Sequence, residues 1–310
     1  MRRLGLLGVV AVLVAAAGCG GSSGGHAVTP TVDQPMQQVS NGPAPAAGRR
    51  PLAVQLDATN DPLVVPFKHP PRSGLLFDLD TGEVLWRRLP DRRLPIASLT
   101  KMMTALIVVQ RSKPNDKVRV TKEALAYKGS AIGILPKGKR IKLETMLNGL
   151  LLPSANDAAI ALAQRMSGTV AQFVTRMNEQ ARQMGLRCTR FSSPDGFKDD
   201  GNHSCAIDLA AMARAVLDQP RLARIVRRRR AVMPFPIKGG RLYLNNNNPL
   251  LRTGYPGTIG VKTGYTDAAG RCLVAAARRH GRRLGVVLLH SPDPGKQATQ
   301  LLNRGFASRA

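Results

Sequence analysis

A β-hairpin is predicted by the stretch Leu75-Leu76-Phe77-Asp78-Leu79-Asp80-Thr81-Gly82-Glu83-Val84-Leu85-Trp86, in which two apolar runs flank a turn of Asp, Thr and Gly. Strand patterns return after residue 231, at residues 258–263, 272–278 and 283–290. Between these ends a helix is predicted to begin near Ser98, and helical spacing recurs at residues 143–151, 157–166, 170–184 and 207–217, with a final helix at residues 296–306. The pattern predicts one α+β unit, in which the hairpin joins the C-terminal strands in an antiparallel sheet and the middle forms a second, mostly helical lobe.

The composition narrows the class of protein. The chain has 310 residues, of which 43% are hydrophobic, and this is enough to bury a sizeable core. Its net charge of +27 favours anionic partners such as a membrane surface or wall polymers, although scattered arginines also fit a general compositional bias. The tract Arg227-Arg228-Arg229-Arg230 fits a solvated face. Nucleic acid is disfavoured because aromatic residues, at 4%, offer few stacking platforms.

The N-terminal residues predict export. Arg2 and Arg3 precede an apolar run at residues 4–17 that is too short to span a bilayer. This run ends in Ala16-Ala17-Gly18-Cys19, which resembles the lipobox of bacterial lipoproteins and implies a signal peptide at residues 1–18 and a lipidated Cys19. An ordinary cleaved signal peptide and an uncleaved anchor are the alternatives. We expect residues 19–67 to form a flexible Gly/Ser/Pro-rich tether and residues 68–310 to form the folded domain.

The remaining cysteines are odd in number. Cys188 and Cys205 flank a loop rich in Gly, Ser, Pro and Asp, so a disulfide that closes this loop is one expectation in an oxidising compartment. Cys272 lies in an apolar, strand-like run and is expected to be a buried thiol. No Cys or His spacing predicts a metal site.

Three short strings carry residues suited to acyl-transfer chemistry: Ser98-Leu99-Thr100-Lys101, Ser154-Ala155-Asn156 and Lys262-Thr263-Gly264. On a helix, Ser98 and Lys101 would lie on one face. A serine nucleophile needs a base, and Lys101 can act as one only when it is neutral. Burial beside a second cation, for which Lys262 is the candidate, would favour that neutral form.

The other two strings suggest proton transfer and peptide binding. Ser154 is a candidate to relay a proton between Lys101 and a leaving amine, and Asn156 to bind a substrate amide and orient Lys101. Lys262 and Thr263 would hold the carboxylate of a peptide paired along a strand edge, and Gly264 would allow close backbone approach. The backbone N–H groups of Ser98 and Tyr265 are the candidates for an oxyanion hole. Each string alone also fits a cap, a loop or a turn.

The order S-x-x-K, S-x-N, K-T-G is the signature of penicillin-binding proteins and serine β-lactamases. From about residue 68 onward the chain resembles the D-alanyl-D-alanine carboxypeptidases, which are low-molecular-mass penicillin-binding proteins. The segments that carry the likeness are residues 94–105, 150–159, 191–196 with 203–208, and 260–270. The resemblance implies the fold of penicillin-binding proteins and serine β-lactamases, with flanking helices on an antiparallel sheet, and a DD-peptidase domain at residues 68–310.

The resemblance also implies a reaction. Ser98 would attack the penultimate D-alanine of a peptidoglycan stem peptide, and the terminal D-alanine would leave with a proton that passes through Ser154. Water activated near Lys101 would then hydrolyse the acyl-enzyme, and β-lactam antibiotics would acylate Ser98 with slow release. The reaction needs no metal or organic cofactor. Its place would be the outer face of the bacterial cytoplasmic membrane, with Cys19 as the lipid anchor.

Departures from the family leave alternatives open. The C-terminal β-domain of many members is expected to be absent, and Asn245-Asn246-Asn247-Asn248 stands where members often carry a carboxylate-binding arginine, for which Arg252 is a candidate substitute. A DD-endopeptidase would use the same residues. A serine β-lactamase is a further alternative, although Glu144-Thr145-Met146-Leu147-Asn148, which spells its E-x-x-L-N string, comes before Ser154. A non-catalytic lipoprotein that binds wall polymers is the alternative outside enzymes.

Overall fold

The computed structural model describes residues 53–56, 61–127, 129–133, 135–197, 201–237 and 240–308. The predicted signal peptide, Cys19 and most of the predicted tether lie outside the described residues. Within the described ranges, no helix has the length and hydropathy needed to cross a membrane.

The order of the elements follows the predicted pattern of strands at both ends and helices between them. The strands are β1 (Ser73–Asp78), β2 (Val84–Arg88), β3 (Leu94–Pro95), β4 (Lys117–Arg119), β5 (Arg140–Lys142), β6 (His203–Ser204), β7 (Arg230–Pro234), β8 (Arg241–Asn245), β9 (Thr258–Thr266), β10 (Gly270–Arg279) and β11 (Arg282–Leu289). The helices are α1 (Lys101–Gln110), α2 (Lys122–Leu125), α3 (Leu143–Leu151), α4 (Asn156–Ser167), α5 (Val170–Gln183), α6 (Ala206–Asp218), α7 (Pro220–Val226), α8 (Pro249–Thr253) and α9 (Pro294–Ala307).

The central sheet unites the two ends of the domain, as predicted. Its strands are antiparallel and run in the order β2-β1-β11-β10-β9. The N-terminal hairpin β1-β2 therefore pairs with β11 from the C-terminal end, and β9 is the edge strand. Separate two-stranded ladders join β3 to β6, β4 to β5 and β7 to β8.

The sheet lies between two apolar cores because its side chains alternate between its two faces. In β1, Leu75 and Phe77 face the larger core, whereas Leu76 faces the smaller one. The larger core contains α1, α3, α4 and α6, and the smaller core is closed by Leu301 and Leu302 of α9. Burial on both faces explains the nearly continuous apolar sequences of β1, β10 and β11. These facts confirm the predicted α+β fold with a helical lobe.

The folded region begins before residue 68, where the sequence analysis placed its boundary. Val65 is buried, the Phe67 ring packs edge-on against Trp86, and Asp61 forms an ion pair with Arg87 at 3.1 Å. The boundary at residue 68 was therefore wrong for residues 61–67. A stretch rich in Pro and Val resembled a linker in composition, but its apolar side chains cover the outer face of the hairpin.

The cysteines behave as the loop and strand patterns indicated. Cys188 and Cys205 form a disulfide with their Cα atoms 5.6 Å apart. Cys272 is a buried thiol in β10, and its Sγ donates to the carbonyl oxygen of Ala269 at 3.5 Å.

Candidate active site

Ser98 lies in a single 3₁₀ turn, Ala97–Thr100, that leads directly into α1. The sequence analysis predicted a helix that begins near Ser98, and α1 itself begins three residues later, at Lys101. In a 3₁₀ turn, side chains three residues apart eclipse each other, which brings the Lys101 Nζ to 2.9 Å from the Ser98 Oγ. Ala97 holds a left-handed φ of +48°, a strained conformation of the kind that concentrates at functional sites.

Lys101 is fully buried, and its amine has three polar neighbours. Besides Ser98, its Nζ donates to the Asn156 Oδ1 at 2.7 Å and to the backbone oxygen of Asp195 at 2.7 Å. A neutral amine has two N–H groups and one lone pair. Since both carbonyl oxygens can only accept, they engage the two N–H groups, and the lone pair is left to face the hydroxyl of Ser98.

Burial is what favours the neutral form of Lys101. Desolvation lowers the pKa of Lys101 to about 8, while the charges of Asp195 and Asp157 act to raise it. The sequence analysis assigned part of this decrease to the charge of Lys262. The two amines do repel each other: burial first, and then the charge of Lys101, lower the pKa of Lys262 well below its usual value. For Lys101 itself, burial is the dominant cause.

Ser154 pairs with Lys262. Ser154, two residues before α4, has a left-handed φ of +70°, and its Oγ accepts a hydrogen bond of 2.8 Å from the Lys262 Nζ. The Lys262 Nζ also donates to the backbone oxygen of Thr263 at 2.8 Å. The sequence analysis predicted that Ser154 relays a proton between Lys101 and the leaving amine. Within the described chain, Lys262 rather than Lys101 is the amine that contacts the Ser154 hydroxyl.

The edge strand β9 passes close to Ser98. A Cβ atom on Gly264 would lie 2.9 Å from the Ile96 oxygen and 3.2 Å from the Ser98 nitrogen, so only glycine permits this approach. Tyr265 follows Gly264 in β9, so its backbone lies near that of Ser98, as an oxyanion hole formed by their two N–H groups requires. The Tyr265 side chain points into solvent, is 62% exposed, and donates its hydroxyl to the Asp267 carboxylate.

The segment at residues 191–196 also contributes to the site, although the sequence analysis used it only for the family likeness and gave it no role. The backbone of Asp195 holds Lys101, and the backbone oxygen of Pro194 accepts from the Thr104 hydroxyl at 2.6 Å. Gly196, with φ +71°, packs so tightly that a Cβ there would lie 2.0 Å from the Ala97 oxygen. In the sequence, Pro194 and Gly196 indicated a turn here. The acceptor itself could not be predicted, because every residue type carries a backbone oxygen.

A glutamate and a cysteine cluster outside the site could suggest a β-lactamase base or a metal site, but their contacts argue against both roles. Glu144, the glutamate of the E-x-x-L-N string, forms an ion pair of 2.7 Å with Arg221. Among the described residues, Cys188, Cys205 and Asp208 come close enough together to suggest a metal site. The disulfide between the two cysteines removes the thiolates that would bind the metal.

The site combines a half-buried serine, a buried lysine with a lowered pKa, a second buried lysine and an open strand edge. These are the groups that an active-serine enzyme needs to act through an acyl intermediate. Residues 60–293 match the family model described as D-alanyl-D-alanine carboxypeptidase, and the chain belongs to that family. The match also begins close to the observed start of the folded region.

Individual relatives agree with the family match. The chain is 34% identical over 247 residues to D-alanyl-D-alanine carboxypeptidase DacF of Bacillus subtilis, covering 77% of this chain but only 63% of that protein. It is 34% identical over 246 residues to DacB2 of Mycobacterium tuberculosis, covering 77% and 83%.

Solved structures share the fold. The Streptomyces K15 DD-transpeptidase has a TM-score of 0.73 at 31% identity, and the match covers 79% of this chain and 100% of that structure. A D-alanyl-D-alanine carboxypeptidase from Mycobacterium tuberculosis has a TM-score of 0.74 at 32% identity, covering 80% and 96%.

Proposed function

We propose that this protein is a serine D-alanyl-D-alanine carboxypeptidase that removes the terminal D-alanine from peptidoglycan stem peptides. The observation that carries the proposal is the Ser98–Lys101 pair, 2.9 Å apart, with a base of pKa about 8 beneath the edge of β9. The peptide would lie along that edge as an added strand, with its terminal carboxylate held by Lys262 and Thr263.

Acylation begins with the transfer of the Ser98 hydroxyl proton to the neutral Lys101 amine. The Ser98 Oγ forms a bond to the carbonyl carbon of the penultimate D-alanine, and the oxyanion accepts the N–H groups of Ser98 and Tyr265. As the tetrahedral species collapses, the C–N bond breaks. The leaving amine takes a proton from the Ser154 hydroxyl, which recovers one from its neighbour Lys262. Lys101 then releases to solvent the proton that it took from Ser98, and Lys262 takes one up, so that both amines return to their starting states before water attacks.

Deacylation reverses these proton movements. A water molecule loses a proton to the regenerated Lys101 amine and attacks the ester carbon, and the Ser98 Oγ leaves and is reprotonated. A β-lactam would acylate the same oxygen. Its ring-opened fragment stays attached to the acyl group, which hinders water and makes release slow.

Product analysis separates this activity from its alternatives. We expect a pentapeptide ending in D-Ala-D-Ala to release D-alanine. A DD-endopeptidase would instead cleave a cross-linked dimer faster, a β-lactamase would turn over nitrocefin rapidly, and a transpeptidase would transfer the acyl group to an added amine. The ion pair of Glu144 with Arg221 disfavours the β-lactamase. Failure to release D-alanine from the pentapeptide would contradict the proposal.

We also propose that an anionic wall polymer binds a cationic cleft, defined by Arg229, Asn245, Asn246, Asn247 and Arg252. The cleft is open and has a volume of about 460 Å³. The Arg229 guanidinium donates to the Arg252 backbone oxygen at 3.3 Å. Within the described part of the chain, no carboxylate pairs with either guanidinium, so both charges are available for phosphate or carboxylate groups.

Replacing both cleft arginines tests this contact. We expect Arg229→Gln with Arg252→Gln to weaken binding of polyglycerol phosphate about fivefold, since exposed pairs are worth about 1 kcal/mol or less each. The control is Arg182→Gln with Arg304→Gln, which removes equal charge from exposed positions elsewhere. Equal weakening in both variants would show that only net charge matters, and weakening confined to anionic vesicles would indicate a membrane instead.

Export and lipidation at Cys19 are part of the same proposal. They are supported by the apolar run that ends in Ala16-Ala17-Gly18-Cys19 and by the disulfide, which suits an oxidising compartment. The mass of the mature N-terminus is the test: an unmodified N-terminus at another residue would exclude a lipid on Cys19.

A further inference from the structure

The loop closed by the Cys188–Cys205 disulfide reaches the catalytic base from outside the three motifs. Its described parts are residues 188–197 and 201–205. The Asp195 oxygen in this loop accepts from the Lys101 Nζ at 2.7 Å, and the Pro194 oxygen accepts from the Thr104 hydroxyl at 2.6 Å. The loop thus supplies one of the two acceptors that orient the Lys101 amine.

Asn202 fixes the shape of the turn that presents this acceptor. Asn202 is 1% exposed, and its Oδ1 accepts from the Ser192 and Ser193 backbones at 3.1 and 3.4 Å. Its Nδ2 donates to the Ser193 Oγ at 2.9 Å, and that oxygen in turn accepts from the Gly196 N–H at 3.0 Å. The Asn202 amide therefore holds Ser193 before Asp195 directly, and Gly196 after it through the Ser193 hydroxyl.

The base of the loop is bound to the segment that leads to the nucleophile. β6, which ends one residue before Cys205, pairs with β3, which ends two residues before Ala97. At the other end, the Cys188 N–H donates to the Asp208 carboxylate of α6 at 2.7 Å. The disulfide joins these two ends, so one cross-linked piece of chain contacts the approach to Ser98 and the base Lys101.

We propose that the Cys188–Cys205 disulfide and Asn202 are positioning residues for Lys101, which hold the Asp195 carbonyl where it directs the amine lone pair at Ser98. This inference rests on the proposed function. Catalytic rates are sensitive to such placement, since a displacement of about 1 Å can cost about 10²-fold. Among the described residues, the ionisable groups that interact with Lys101 are Asp195 of the loop, Asp157 of α4 and Lys262 of β9.

The test compares acylation rates of folded variants. The double variant Cys188→Ser with Cys205→Ser is measured at a temperature below its own melting temperature. We expect it to be acylated by fluorescent penicillin about tenfold to a hundredfold more slowly than the wild type. The alkaline rise in rate should also move to higher pH, because water that enters a loosened loop reduces the burial that lowers the pKa of Lys101.

The matched control is Leu302→Ala, which opens the smaller core beneath α9 on the other face of the sheet. It should lower the melting temperature while it leaves the pH profile unchanged. A disulfide variant that loses stability but keeps the wild-type acylation rate and profile would overturn the proposal. If that variant does not fold, Asn202→Ser with the disulfide intact must show the same shift, and an unchanged profile there would also overturn it. Absence of a label on Ser98 in the wild type would instead count against the proposed function.

Discussion

The variant Ser98→Ala should lose D-alanine release by about 10⁴-fold or more and should form no penicillin adduct. Its methyl group has no oxygen to attack the substrate, and the neighbouring Lys101 amine, 2.9 Å away in the wild type, then has no proton to remove. The variant should remain folded, because the Ser98 side chain is half-buried and, among the described residues, its hydroxyl forms a hydrogen bond with Lys101 alone. Mass spectrometry after labelling, followed by peptide mapping, measures the adduct directly.

The control for this experiment is Ser308→Ala, at the exposed C-terminal end of α9. It should retain both the label and the activity. A penicillin adduct that persists in Ser98→Ala, or that maps to Ser154 in the wild type, would show that the nucleophile has been assigned to the wrong residue.

The variant Lys101→Met should reduce acylation about 10²- to 10⁴-fold, the usual contribution of a general base. Methionine has a similar length and fits an apolar, fully buried position, but it cannot accept the proton of Ser98. In the wild type, a pKa of about 8 leaves about a tenth of Lys101 neutral at pH 7. The acylation rate should therefore rise about tenfold per pH unit below pH 7, reach half of its maximum near pH 8 and level off above it.

The acylation rate, measured by stopped-flow from pH 6 to 9.5, tests the assignment of Lys101 as the base. In Lys101→Met the rise near pH 8 should disappear, whereas Lys122→Met, an exposed lysine on α2, should keep it. Persistence of the rise without Lys101 would place the base elsewhere, with Lys262 as the next candidate.

Stability should depend on pH with a defined sign. Burial lowers the pKa of Lys101 in the folded state from 10.5 to about 8, so the unfolded chain binds more protons between these values. The free energy of unfolding should therefore increase as pH rises through this window. At pH 7 the buried amine costs about 3 kcal/mol, since each pKa unit corresponds to about 1.4 kcal/mol. Such a cost is expected if Lys101 is the base that we propose, since a base with a lowered pKa works near neutral pH.

Local patterns in the sequence determined the elements and the identity of the reactive groups. The alternation of apolar residues predicted the β1-β2 hairpin, and helical spacing predicted α3 to α6 within one or two residues. The i, i+3 spacing of Ser98 and Lys101 brings them together even though the turn is 3₁₀ rather than α-helical, because both geometries place those side chains on one side.

Tertiary structure alone decided how these groups work together. Ser154 and Lys262, which are 108 residues apart, meet only because β9 packs against the loop before α4. The oxygen that holds Lys101 belongs to the backbone of Asp195, which every residue type carries, so residue identity could not reveal it. The pKa of Lys101 depends on the water excluded by the whole fold. Spacing along a chain determines contacts within a turn, whereas burial and long-range contacts exist only once distant segments have packed.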